Sequence, residues 1–420
     1  MTHVQQCRSC GSPDLAVVLD LGAQPIANAL VEPGRARQAE DRYPLAVAFC
    51  GGCALLQVTE TIPPEVLFGR DYPYYSSVST ALIDHSRAHA EQLLAERALD
   101  RDSFVVEVAS NDGYLLRNFV WAGVPVLGID PADGPAAAAE RVGVRTRVAF
   151  FDAGVAASVV AEHGQADVIL ANNVLAHVDD INAFVAGFAV LLKPDGIAQF
   201  EFPYLRRLIE TCAFDTIYHE HVFYYSLTAL EPLFARHGLH INDAEEISIH
   251  GGSLRLTVGR SSRATGRLRA LQADEAALGM GSLAYYTDFG RRVSDIRNSL
   301  RMLVQGLVAQ GHRVRAYGAA AKGATLLNYV DLGETELGYV VDLNPHKVGK
   351  LMPGVGLPIR PPEVLASEQP EYLLLLAWNF AEEIMAQQKA YALNGGRFVL
   401  PIPHPRIVGN AEPAPAMSRN

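Results

Sequence analysis

The sequence predicts an α/β chain in three parts, a small metal-clamped N-terminal module followed by two parallel-sheet units. Three observations lead there. Two Cys-x-x-Cys pairs, Cys7/Cys10 and Cys50/Cys53, stand near the N-terminus; an apolar strand at Phe104–Val108 runs through a short turn into a helix; and a second strand–turn–helix series opens at Arg313. At roughly 150 residues per domain, the 420 residues accommodate two or three domains. Hydrophobic residues at 49% and charged residues at 19% make a soluble globular mixture, so disorder is not the organising theme. Against 46 acidic residues stand 35 basic ones, and the net charge of −11 repels a phosphate backbone, which argues against nucleic acid as a partner. The opening residues lack a basic-then-apolar leader, and no stretch approaches roughly 18 uninterrupted apolar residues, so the chain is expected to be cytoplasmic and off the membrane.

The first part is expected over residues 1–70. Two Cys-x-x-Cys knuckles present four thiolates, the complete set for one closed tetrahedral Zn²⁺ site, with a dithiol redox pair as the bland alternative. Gly11, Gly51 and Gly52 are the small neighbours that knuckle turns require. A closed four-sulfur site leaves no open position, so its metal is structural. Cys212 stands alone and reads as a small core residue.

The second part is expected over 71–265. After an aromatic loop containing Tyr72, a helix is expected from about Ser79 to Arg97, then the strand ending at Glu107 and Val108, the turn Ala109-Ser110-Asn111-Asp112-Gly113, and a helix from Tyr114. Pro125–Ile129 is the next strand and closes on Asp130, 23 positions after Glu107. An acidic residue in that place is where a Rossmann-like sheet holds ribose hydroxyls. Asp167–Ala171 is a further strand, Asp179 or Asp180 caps the helix after it, and Lys193-Pro194-Asp195-Gly196 stops that helix before a strand at Ile197–Phe202. The first turn lacks GxGxxG, which weakens a hydride-transfer reading. Glu107, Asn111, Gly113 and Asp130 instead fit a sheet whose loops hold methionine and ribose and cradle no pyrophosphate.

The third part, 266–420, begins with helices bearing Arg291, Arg292, Arg297 and Arg301, expected to be mostly solvated. A second Rossmann-like series follows, with strands at Arg313–Tyr317, Leu337–Val341, Tyr372–Trp378 and Arg397–Leu400. Lys322, in a glycine-flanked turn at a helix start, suits a diphosphate. Asp342 ends the second strand, but without a pyrophosphate fingerprint it implies no second cofactor.

Tyr218-His219-Glu220-His221-Val222-Phe223-Tyr224-Tyr225-Ser226 and His250-Gly251-Gly252-Ser253-Leu254-Arg255 complete the set of motifs. With the four cysteines, Asn172-Asn173-Val174-Leu175-Ala176-His177 and Tyr317-Gly318-Ala319-Ala320-Ala321-Lys322, the chain resembles the S-adenosylmethionine-dependent sugar C-methyltransferases of deoxysugar biosynthesis over nearly its whole length. The resemblance implies a zinc-binding module, a central class I methyltransferase sheet and a C-terminal Rossmann-like domain that helps hold a nucleotide-diphosphate-sugar. It implies methylation at C-3′ of a 4-keto-6-deoxyhexose, expected to be dTDP-linked. It points to His221 as general base, Tyr218 as the neighbour that orients the sugar or stabilises the oxyanion, and Tyr72 and His177 as lining the same pocket. Glu220 is expected to fix a histidine tautomer or bind a sugar group, Asn172 to serve the cofactor, and His250 and Tyr224 to stand on the substrate side. The competing classes are an NAD-dependent nucleotide-sugar oxidoreductase or epimerase and a non-catalytic zinc and nucleotide-binding module; a monomer or small homo-oligomer is expected. The chain departs from the family at Ala109, where glycine is common. An ordinary φ is expected there, narrowing the approach of the methionine part.

Overall fold

The computed structural model describes residues 2–35, 40–67 and 75–409. They divide into two compact units. The first comprises residues 1–16, 48–206 and 222–285, and the second 17–47, 207–221 and 286–420.

The first unit is built on seven strands: β1 (Val105–Val108), β2 (Val126–Asp130), β3 (Thr146–Val148), β4 (Ala166–Asn172), β5 (Leu192–Pro203), β6 (His240–Ile247) and β7 (Ser253–Gly259). Their order is β3-β2-β1-β4-β5-β7-β6. β1 to β5 are parallel, and β7 runs antiparallel to both β5 and β6. Chain order reverses between β1 and β4, so a crevice opens beyond their carboxyl ends. β1 reads Val-Val-Glu-Val and is buried at every position, as a strand covered on both faces must be. On one face Leu82, Ala90 and Leu93 of the helix Thr80–Arg97 pack with Phe119, Val105, Val168 and Leu170. Elsewhere in the unit Phe188, Phe200 and Phe234 stack with centroid separations of 4.7 and 5.2 Å.

The helix ends follow local chemistry. Ser79 accepts from Leu82 N at 3.3 Å, and Asp180, one of the two expected caps, accepts from Ala183 N at 2.9 Å. The expected stop at Lys193–Gly196 takes a different form. Helix Ile181–Leu191 runs straight into β5, which begins at Leu192, and the register shifts between Leu192 and Ile197. The four intervening residues are a bulge because Lys193 Nζ is drawn to both Asp167 oxygens at 2.8 Å, and Gly196 lies where a Cβ would meet Ala166 O at 2.9 Å.

The second unit holds β8 (Val314–Tyr317), β9 (Val340–Val341), β10 (Ile359–Arg360), β11 (Tyr372–Leu375), β12 (Arg397–Leu400) and β13 (Arg406–Val408), ordered β10-β9-β8-β11-β12-β13. All are parallel except β13. This is the doubly wound order, with its switch point between β8 and β11. The expected strand at 337–341 is shorter, because Glu334–Leu337 forms a helical turn and Gly338 breaks it at φ 66°. Helix Phe289–Ala309 buries Val293, Ile296, Leu300, Val304 and Leu307 at helical spacing. On its outer side Arg291 is exposed, whereas Arg297 lies over the Tyr329 ring at 5.1 Å and Arg301 meets Asp331 at 2.9 Å. No described helix is long and apolar enough to cross a membrane.

Candidate active site

The four N-terminal cysteines converge. The sulfurs of Cys7, Cys10, Cys50 and Cys53 all lie within 4.8 Å of one another, with Cys7–Cys53 and Cys10–Cys50 at 3.6 Å. Zn–S bonds of about 2.3 Å at tetrahedral angles place sulfurs about 3.8 Å apart, so the cluster has the dimensions of a zinc site. Each knuckle is a backbone turn, Gly11 N to Cys7 O and Ala54 N to Cys50 O, both 2.8 Å. Gly52 is needed because a Cβ there would sit 2.8 Å from Ser12 Cβ. Cys212, in the second unit, is buried and apart from this set, as expected of a core residue.

In the first unit, the turn after β1 and the ends of β2 and β4 form a crevice rich in acceptors. Asp130 Oδ2 accepts from Asn111 N at 2.8 Å and Oδ1 from Ala132 N at 2.9 Å, so the acidic strand end holds the turn in place. Asn111 Oδ1 accepts from Ser76 N at 2.9 Å, and Asp112 Oδ2 from Ser77 N at 3.1 Å. Both oxygens of Glu107, Asp112 Oδ1 and Asn172 Oδ1 are buried without a hydrogen-bond partner. Burial first, then the charges of Asp130 and Asp112, push the Glu107 carboxyl well above the ordinary range. Buried acceptors without donors are costly, and a cationic ligand supplies what they lack.

Ala109 contradicts the sequence expectation. Its φ is 57°, with Asn111 at 49° and Gly113 at 75°. The alternation arises because Ala109 N and Ser110 N both turn toward Ile129 O, at 2.7 and 3.3 Å, before Asn111 N reaches Asp130. That hydrogen bonding outweighs the Cβ strain, so the turn keeps the shape glycine would give it. Left-handed backbone costs alanine about 1–2 kcal/mol, and glycine returns roughly 0.4–1 kcal/mol of that through unfolded-state entropy. Ala109→Gly is therefore expected to stabilise the protein by up to about 1 kcal/mol, read as a raised midpoint in urea unfolding. A clear loss would show that the strain is not there.

In the second unit, the Tyr218–His221 segment is held at every residue named here. His221 Nδ1 lies 2.8 Å from Thr216 O, and a carbonyl can only accept, so Nδ1 carries the proton and Nε2 the lone pair. Tyr218 Oη lies 2.8 Å from that Nε2 and donates to it, with the two rings 4.1 Å apart at 30°. His219 donates from Nε2 to Pro44 O at 3.2 Å, and Glu220 Oε2 accepts from Asn28 Nδ2 at 2.5 Å. Burial pushes the Glu220 carboxyl up to about 7, against the Asn28 bond. This is an imidazole with a set tautomer beside a phenol, the arrangement of a general base with an oxyanion partner. The Thr216 carbonyl sets the tautomer of His221.

The remaining expected residues fall as follows. His177 ends the turn Leu175–His177 after β4, in the first unit, where Val222 N donates to Ala176 O at 2.7 Å. Tyr224 is buried in the short strand Phe223–Tyr224, paired to Leu56. His250 lies in the turn Ile249–Gly251, which Gly251 and Gly252 close at φ 88° and 112°. Lys322 is directed at Asn379 and Asp215 in the second unit. Tyr72 lies outside the described residues.

One network escaped the sequence reading. Glu201, on β5, bonds Arg255 Nε at 2.6 Å and His85 Nε2 at 2.8 Å, with His89 Nδ1 at 3.4 Å; His89 Nε2 donates to Gln199 Oε1 at 2.6 Å. The available signal was His85 and His89 at i and i+4, which share a helix face. Burial favours the neutral form of both groups. It holds His89 down at about 4 despite Glu201, whereas for Glu201 the His85 bond and the charges of His89 and Arg255 outweigh burial and hold it at about 2. Unfolded, a histidine titrates near 6.5 and a glutamate near 4.5. Below pH 6.5 the unfolded chain takes up a proton that folded His89 refuses until about pH 4, and below 4.5 the same holds for Glu201 down to about 2. Stability is thus expected to be full above pH 6.5 and to fall by about 3 kcal/mol towards pH 4 on the His89 account. Urea unfolding from pH 7.5 to 4 checks this, and a flat profile would refute it.

Three family models match the chain: "Putative zinc binding domain" over residues 7–68, "Methyltransferase domain" over 83–243 and "C-methyltransferase C-terminal domain" over 248–403. The chain is 37% identical to C-methyltransferase NovU of Streptomyces niveus over 409 residues, 96% of this chain and 97% of that one. A ubiquinone biosynthesis O-methyltransferase of Rhodopseudomonas palustris is 31% identical over 93 residues, 22% of this chain and 37% of its own length. Among solved structures, the magnesium protoporphyrin IX methyltransferase of Synechocystis PCC 6803 with bound S-adenosylmethionine aligns at 16% identity and a TM-score of 0.33, over 43% of this chain and 79% of that one.

Proposed function

This chain belongs to the S-adenosylmethionine-dependent C-methyltransferase family, and on that premise we propose that it methylates C-3′ of a dTDP-linked 4-keto-6-deoxyhexose in deoxysugar biosynthesis. It is a methyltransferase with S-adenosylmethionine as cofactor and zinc in the cysteine cluster. The observation that carries the substrate reading is the Thr216–His221–Tyr218 array. A carbon beside a ketone is acidified by delocalisation onto the carbonyl oxygen, and an imidazole of near-neutral pKa is the base for it. His221 Nε2 takes the C-3′ proton, and the imidazolium so formed is held at Nδ1 by the Thr216 carbonyl. Tyr218 Oη, freed from Nε2, donates to the enolate oxygen. S-adenosylmethionine, when bound, would supply an electrophilic methyl group for the C-3′ electron pair, its sulfonium sulfur keeping the electrons of the broken S–CH₃ bond and leaving as the neutral thioether. Tyr72 and His177 are assigned to the pocket wall, Tyr224 and His250 to the substrate side, and Glu220 to a sugar hydroxyl.

Glu107, Asn111, Gly113, Asp130 and Asn172 are the residues to hold the cofactor. The donor-less acceptors at Glu107, Asp112 and Asn172 suit its ammonium and sulfonium charges, and Asp130 at the end of β2 suits its ribose. Because burial pushes the Glu107 carboxyl up, a bound cation restores its ionised form and releases a proton, so affinity is expected to rise with pH. Glu107→Gln is expected to weaken binding at least about tenfold and to abolish the proton release. Calorimetry in buffers of different ionisation enthalpy reads both, and unchanged proton release in the variant would remove Glu107 from the site.

The division into 1–70, 71–265 and 266–420 remains a proposal: three family models in that order, over 7–68, 83–243 and 248–403, favour three parts, and the third begins ahead of the proposed boundary at 265. A cytoplasmic location is supported by the reduced thiols a zinc cluster needs. The test of the substrate is mass spectrometry after incubation with S-adenosylmethionine and a panel of dTDP-, CDP- and GDP-linked 4-keto sugars. A gain of about 14 Da, one CH₂, on the dTDP sugar is expected; no gain on any of them would overturn the proposal.

A further inference from the structure

Just ahead of the Tyr218–His221 segment stands a buried charge that the chemistry above does not use. Asp215 lies in the turn Phe214–Thr216 with no exposed surface. Its Oδ2 accepts from Trp378 Nε1 at 2.7 Å, and its Oδ1, without a hydrogen-bond partner, is 3.8 Å from Lys322 Nζ. Lys322 donates to Asn379 Oδ1 at 3.1 Å, and its ammonium lies 4.1 Å from the centroid of the Trp378 ring. Lys322 is the second residue of helix Ala321–Val330, which follows β8, and Trp378 and Asn379 follow β11. These are the two strands at which chain order reverses in the second sheet. In a doubly wound sheet that place opens a ligand crevice with a helix N-terminus aimed into it. Here the anion at that helix start is the chain's own Asp215.

A buried carboxylate is retained only when paired and hydrogen-bonded, and removing one partner strands the other. Consecutive turns connect Asp215 to the imidazole. Thr216 N donates to Ala213 O at 3.1 Å, Ile217 N to Phe214 O at 2.9 Å, and the Thr216 carbonyl receives His221 Nδ1 at 2.8 Å. We propose that Asp215, Lys322 and Trp378 form an anchor that positions His221 through the Thr216 carbonyl, so that Lys322 acts on the protein and not on the substrate diphosphate. The anchor rests on the reading of His221 as base, and all three members are positioning residues.

The test compares Lys322→Met, Asp215→Asn and the double variant. It reads kcat and KM for the nucleotide-sugar that the unaltered enzyme methylates, and the ¹⁵N shifts of His221 in the free enzyme. Lys322→Met is expected to lower kcat about tenfold or more while KM moves less than about threefold, with loss of the Nδ1-protonated signature of His221. The double variant is expected to recover most of both, because it no longer strands a buried carboxylate. A Lys322 that met the diphosphate would instead raise KM about tenfold or more at unchanged kcat and leave His221 as it was. That result, or a double variant no better than Lys322→Met, overturns the anchor. If Lys322→Met does not fold, Asp215→Asn decides alone: it keeps an acceptor for Trp378, and a His221 signature identical to that of the unaltered enzyme overturns the proposal. If no sugar is methylated by the unaltered enzyme, the substrate reading falls, while the His221 tautomer still decides the anchor.

Discussion

His221→Asn is expected to bind S-adenosylmethionine as the unaltered enzyme does and to lose methyl transfer by about 10²–10⁴-fold. Asparagine is the informative replacement because its amide nitrogen falls where Nδ1 stood and can still donate to the Thr216 carbonyl, now at 2.8 Å from the imidazole. It has no atom where Nε2 accepts from Tyr218 at 2.8 Å. The segment keeps its support and loses only its base. Cofactor affinity is spared because Glu107, Asp130 and Asn172 belong to the first unit's sheet. Single-turnover rates with a 4-keto sugar, set against calorimetric affinity, separate the two quantities. Retention of more than about a tenth of the rate would move proton abstraction elsewhere, with His177 and Tyr218 next in line.

Removing the metal is the second large effect. Cys7→Ser is expected to eliminate bound zinc and to unfold the module around it. Structural zinc contributes about 10–16 kcal/mol of apparent binding energy in small zinc-dependent domains, and a serine hydroxyl is a poor fourth ligand beside three thiolates. The matched module spans residues 7–68, a length that buries too little apolar surface to fold comfortably without a staple. Its turns close on the metal, with Cys7 N donating to Ser12 O and Cys50 N to Leu55 O. Metal analysis and hydrogen exchange of the N-terminal amides read the outcome. Cys212→Ser is the control, since that thiol is buried in the second unit and stands outside the cluster. Stoichiometric zinc in Cys7→Ser would exclude the four-sulfur assignment.

Much of this architecture is legible in short windows of sequence. The Cys-x-x-Cys pairs, the apolar run at β1, Asp130 at the end of β2 and the cap at Asp180 depend on neighbours within a few residues, or on a residue type with one dominant use. Boundaries were less legible where long-range pairing intervened. Lys193–Gly196 reads as a helix stop, and only the attraction of Lys193 to Asp167, 26 residues earlier, makes it a bulge in β5.

For the site, the sequence by itself determined which chemical groups are present: four thiolates, an imidazole beside a phenol, and carboxylates at strand ends. Tertiary structure alone decided the state in which each is held. Ala109 takes a left-handed φ because backbone bonds to Ile129 outweigh its Cβ. His89 stays neutral because burial in the folded core outweighs Glu201 and Gln199, which arrive from β5, 112 and 110 positions later in the chain. Lys322, which sequence context assigns to a diphosphate, faces Asp215, 107 positions earlier. Protonation, strain and pairing are set by what surrounds a group in space. A carboxylate or an ammonium carries no local sequence signal of the partner that folding will bring to it.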